Sequence, residues 1–153
     1  MRHRYRIAAV VGTAATVLGG LAVPASAYYG PEGCPPQYWR AHQGNWQEYR
    51  PDSRVSNAWH MTNLPLAERQ LTFAQALADP GRTATTSRTL LRSAVASYLN
   101  AAHEGVLYPY RRFSAPYYLR ISISDAIASG DTGYMREVIR DLDRANNLPC
   151  PLH

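Results

Sequence analysis

The chain has 153 residues, 16 basic and 11 acidic side chains, a formal net charge of +5 and two cysteines. Every basic residue is arginine, and three of them (Arg2, Arg4, Arg6) precede an apolar run; without those three, 13 basic residues face 11 acidic ones, a net +2, which removes the support that charge alone would give to a nucleic-acid partner. The remaining length suffices for one hydrophobic core but not for two.

Taken in chain order, residues 1–27 read as a Sec-type signal peptide. Arginines come first, then an uncharged apolar stretch over 7–23, then Ala25-Ser26-Ala27, the small residues a signal peptidase accepts. A membrane anchor is the rival reading. The stretch is near the lower length limit for a span and holds Gly12, Gly19, Gly20 and Pro24. No adjacent arginine pair suggests twin-arginine export, and no cysteine follows the cut. The expectation is a secreted chain beginning at Tyr28, with residues 28–153 forming a single helical domain that has no membrane span. Outside the cell two thiols tend to oxidise, and Cys34 and Cys150 allow one intramolecular bond. Closing so long a loop is worth about 4–5 kcal/mol in the chain-entropy model. Two free thiols, or a bond between chains, remain the alternatives at this level.

Glycines and prolines over residues 28–36 predict an irregular start. A short helical turn from Pro36 carries Tyr38, Trp39 and His42 on one side. Residues 44–61 read as a loop anchored by Trp46 and Trp59. Thr62 or Asn63 is expected to cap one helix with Pro65 in its first turn, an apolar stripe of Leu66, Phe73, Ala74 and Leu77, and a stop at Asp79-Pro80-Gly81. The strongest helical signal covers 87–103. Ser87 is the expected cap; Leu90, Leu91, Ala94, Val95, Tyr98, Leu99 and Ala102 form one face; Arg88, Arg92, Ala96 and Asn100 fall on others; Gly105 follows the end. Residues 108–116 form a proline-bearing connection. Leu119-Arg-Ile-Ser-Ile-Ser alternates like a strand, but the longer stripe of Leu119, Ile123, Ala126 and Ile127, with Ser114 as cap and Gly130 as stop, favours a helix. Asp131 caps a last helix with Tyr134, Met135, Val138, Ile139 and Leu142 inward, closed by Asn146-Asn147 and Pro149. The fold expected is all-α: a small bundle of about four helices, its ends joined by a disulfide.

The stretch CPPQYWRAHQGNW (34–46) resembles the opening motif of a group of secreted bacterial proteins of uncharacterised function, C-x-P-G-Y-W-K-N-H followed by a tryptophan. Leu99-Asn100-Ala101-Ala102-His103, then Tyr108-Pro109, is similar to a second signature of that group. The run from Leu142 to Leu152, with Asn146-Asn147 and Cys150-Pro151-Leu152, is similar to a third. Here Gln37, Arg40 and Ala41 replace the group's glycine, lysine and asparagine. The resemblance implies export and architecture, places Cys34 and Cys150 in one design, and implies no reaction.

Chemistry-bearing constellations are sparse. His42, His60, His103 and His153 show no H-E-x-x-H or H-x-H spacing. His42 and His103 are weak metal candidates, and His103 is better read as bonded to a backbone carbonyl, tying the opening motif to the central helix. No G-x-S-x-G frames a serine. Asp141 and Asp143 read as solvated charges beside Arg140 and Arg144. Glu48 and Asp52 form the one candidate carboxylate pair. Tyr38, Trp39, His42, Trp46 and His103 are expected to form a structural knot. Tyr108, Tyr110, Arg111, Arg112, Tyr117 and Tyr118 form the candidate ligand surface, since aromatic faces and guanidinium groups bind at low entropic cost. The expected function is extracellular recognition of a cell-wall polymer, glycan or protein by a monomer without a cofactor. A metal-dependent or carboxylate-based hydrolase is the alternative.

Overall fold

The computed structural model describes residues 30–78, 81–113 and 119–152. Among them the regular elements are helices: α1 (Pro36–Ala41), α2 (Leu66–Arg69), α3 (Phe73–Leu77), α4 (Thr86–Ala102), α5 (Leu119–Ser129) and α6 (Thr132–Asn146). Short 3-10 turns at Gln43–Asn45 and Val55–Asn57, and an isolated antiparallel bridge from Arg54 to Thr72, organise the rest of the N-terminal half. The fold is all-α, and Cys34 is bonded to Cys150. No described helix is long and apolar enough to cross a membrane. The leader, the cut before Tyr28, Asp79-Pro80, Ser114, Pro116, Tyr117, Tyr118 and His153 lie outside the described residues.

Helix α4 is the axis of the bundle, with α1, α3, α5 and α6 packed on it. It therefore buries more than the one face its apolar period marks: Ala96 and Asn100, expected on outer faces, are both fully buried. A helix surrounded by neighbours has no solvent side over its middle turns. Its cap is Thr85 rather than Ser87, because the Thr85 side chain accepts from the Arg88 N–H while Ser87 already lies in the first turn.

The single helix expected over 66–77 is two. The chain leaves α2 at Gln70 and restarts at Thr72, whose hydroxyl accepts from Gln75 N while Gln75 Oε1 accepts from Thr72 N. That reciprocal pair satisfies two orphan donors and makes the break favourable. Pro65 is the residue before α2, not part of its first turn, and neither Thr62 nor Asn63 caps it.

Residues 119–129 are helical, as the longer stripe predicted. Leu119, Ile123, Ala126 and Ile127 face inward, and Gly130 ends the helix at φ +66°. Asp131 caps α6, its Oδ1 accepting from the Gly133 and Tyr134 N–H groups. The N-terminal segment lies against the end of α6 so closely that a Cβ at Gly33 would collide with the Ala145 carbonyl. Gly33 N donates to Pro149 O at 3.3 Å, beside the disulfide. Both ends of the described chain thus meet at one place.

Candidate functional site

At that meeting point the structure builds a polar knot around Asn100, a residue of α4. Its Oδ1 accepts from Cys34 N at 2.7 Å and Trp39 Nε1 at 3.2 Å; its Nδ2 donates to Cys34 O at 2.8 Å and Asn146 Oδ1 at 3.0 Å. All four hydrogen-bonding positions of the amide are used. Asn146 Nδ2 donates to Ser93 O, and its Oδ1 also lies 3.1 Å from Ser97 Oγ and 2.8 Å from the Tyr108 hydroxyl. Asp143 turns inward to accept from Ser93 Oγ at 2.6 Å, so only Asp141 remains a solvated charge, paired with Arg144. Reading polar residues as outward-facing missed Asn100, Asn146 and Asp143; their presence within the second and third motifs was the available signal.

The aromatic residues of the opening motif stack around this knot. Trp39 is fully buried, with Tyr38 edge-on at 5.3 Å and the His103 ring 5.8 Å away. His42 is exposed and stacks on Tyr38 at 4.3 Å. Trp46 is half-buried and donates its Nε1 to Trp39 O, while Asn45 Nδ2 donates to the Tyr38 hydroxyl. His103 does not donate to a carbonyl through Nδ1. That atom accepts from Gly105 N at 3.0 Å, and burial holds the imidazole pKa below its ordinary value although the Glu104 charge pulls the other way. No group of three or more His, Cys, Asp and Glu able to hold a metal ion occurs among the described residues.

The candidate ligand surface divides. The Tyr108 hydroxyl points into the knot, and burial drives its pKa far above the usual phenol range. Arg112 is also turned in, its side chain only 13% exposed. It makes a two-pronged ion pair with Glu48, at 2.7 and 2.8 Å, donates to the Tyr49 hydroxyl at 3.0 Å, and lies over the rings of Tyr49 and Phe113 at 5.5 and 5.1 Å. The hydrogen bond from Arg112 holds the Glu48 carboxyl below its ordinary pKa. Glu48 takes up this pair from a left-handed backbone, φ +63°, which a side chain with a Cβ adopts at a cost of about 1–2 kcal/mol. Asp52 pairs instead with Arg50 in solvent. The two carboxylates are thus held by different arginines.

What residues 106–113 leave outward is a shallow hollow of about 380 Å³ lined by Ala101, Val106, Leu107, Tyr110, Arg111 and Phe113, which parts of Tyr108 and Arg112 also reach. Arg111 is exposed, and Tyr110 is half-buried against Tyr108 at 5.8 Å. The base of the loop is fixed by Glu32, whose backbone N–H donates to Leu107 O and whose carboxylate accepts from Leu107 N. No protein-family model matches this chain, and no curated protein and no solved structure matches it.

Proposed function

We propose that the protein is exported and acts outside the cell as a recognition module, holding a cell-wall polymer, a glycan or a protein surface across residues 106–113. The observation that carries this reading is the exposure of Leu107 and Phe113, 52% and 57%, on a loop tied down by Glu32, by the Tyr108 hydroxyl and by the Glu48–Arg112 pair. The exposed part of an apolar side chain adds little to folding, and a loop already ordered loses little entropy on binding. Of the three partners a glycan-type wall polymer suits the surface best. Its sugar rings can lie on Tyr110 and Phe113, and carboxylate or phosphate groups along it can meet the Arg111 guanidinium. Export is supported by the leader pattern of residues 1–27, and the Cys34–Cys150 bond suits an oxidising compartment.

The carboxylate-hydrolase alternative has less to work with, because Glu48 is committed to Arg112 and Asp52 to Arg50. Co-sedimentation with purified cell-wall material decides the matter. Arg111→Ala and Tyr110→Ala should each reduce retention about tenfold, as expected of residues central to an interface. Equal retention of both variants and the parent would end the assignment of this surface.

A further inference from the structure

A second hollow opens where five aromatic rings meet, and Tyr98 of α4 is their hub. Trp59 meets it edge-on at 4.7 Å between ring centres, Tyr49 at 5.9 Å and Phe113 at 6.5 Å. Phe73 stacks on Tyr49 at 5.1 Å and on Trp59 at 6.0 Å. Tyr49, Phe73, Tyr98 and Phe113 wall a cavity of about 300 Å³, and Arg54 and Arg120 line it too. A neighbouring cavity of about 370 Å³ shares Phe113 and Arg120 and reaches Ser124 and Asp125.

One feature distinguishes this hollow from a gap in packing, and it is charge. Arg54 and Arg120 are exposed, and neither is within ion-pair distance of a carboxylate of the described residues. Glu48 is already taken by Arg112, and Asp125 stays outside pairing distance of Arg120.

We propose that this cavity is a binding site for a small acid with a flat apolar ring, the ring against Tyr49, Phe73, Tyr98 and Phe113 and the anionic group at Arg54 and Arg120. The volume lies at the lower end of small-molecule sites, which fits a single ring better than a chain of them. This site shares Phe113 with the loop surface proposed above for a polymer, but its cations are Arg54 and Arg120 and not Arg111, so the two assignments fail separately.

Titration calorimetry on the oxidised full chain tests the assignment with phenylacetate as the probe. Acetate and phosphate serve as anions without a ring, and benzyl alcohol as a ring without charge. Phenylacetate should bind saturably with a Kd on the order of 1 mM or tighter, and each control at least about tenfold more weakly. Arg120→Ala and Arg54→Ala, both surface changes, should weaken phenylacetate about tenfold each, and Arg111→Ala should leave it unchanged. Absence of saturation by about 10 mM phenylacetate, equal binding of acetate or benzyl alcohol, or full affinity in Arg120→Ala would each overturn the proposal.

Discussion

The amide of Asn100 illustrates how one side chain can order several elements at once. It holds both backbone groups of Cys34, the indole N–H of Trp39 and the side-chain oxygen Oδ1 of Asn146. Replacing it with alanine strands three buried groups (Cys34 N, Cys34 O and Trp39 Nε1), each costly to leave unpaired, and we expect Asn100→Ala to lose about 3–5 kcal/mol in urea unfolding of the oxidised protein. Tyr108→Phe removes one hydroxyl from the edge of the same network and should lose only about 1 kcal/mol. A loss for Asn100→Ala no larger than that for Tyr108→Phe would show that the amide is not the centre of the knot. This residue was not legible from periodicity. Its partner Cys34 is 66 positions away in sequence, and a helical pattern assigns an asparagine off the apolar stripe to solvent. Trp39, by contrast, stood out from the density of its motif. The Glu48–Arg112 pair escaped for a related reason, since its ends lie 64 residues apart and its backbone conformation is one that sequence seldom announces for glutamate.

Among the elements, those with a long apolar period and a clear cap were readable. Helix α6 runs from Thr132, after its cap Asp131, to Asn146 as its pattern requires, although Tyr134, expected on the stripe, stays 37% exposed. For residues 119–129 both periods were present, and what separates them is Ile121: strand alternation would place it with Leu119 and Ile123, whereas the helix leaves it 51% exposed and buries Ala126 and Ile127 instead. The break between α2 and α3 was also written in the chain, as Thr72-Phe-Ala-Gln75, but a capping box inside a continuing apolar stripe is overridden when the stripe alone is followed. The C-terminal end of α4 has a pH-dependent fastening. His103 Nδ1 can accept from Gly105 only when unprotonated, and the folded imidazole has a pKa below the 6.5 of an unstructured chain. The unfolded state therefore binds the proton more readily. This part of the stability is complete above about pH 6.5 and is lost as pH falls toward the folded value. Thermal melts between pH 7.5 and 5 should show a decline that flattens in His103→Gln, which keeps an acceptor without a charge. Parallel curves for parent and variant would show that this ring does not titrate against folding.

For the molecule as a whole, short and long helices pack around α4 and the two ends of the bundle are joined. The Cys34–Cys150 bond spans 116 residues, and severing so long a loop should lower stability by about 3–5 kcal/mol. Urea unfolding with and without a reductant measures this directly; coincident curves would mean the linkage adds nothing to equilibrium stability. Fold class and the disulfide followed from the leader pattern, the cysteine count and the helical period. The positions of the two hollows did not, because each collects side chains from loops and helices whose approach only the packed structure defines. The grip of Asn100 on Cys34 has one more consequence. It acts on the main chain of residue 34 and leaves the sulfur alone, so α4 serves as a jig that presents one thiol to its mate before any oxidant arrives. Covalent closure then records a shape already reached, and during refolding the wrong, chain-to-chain product competes only until that jig has closed.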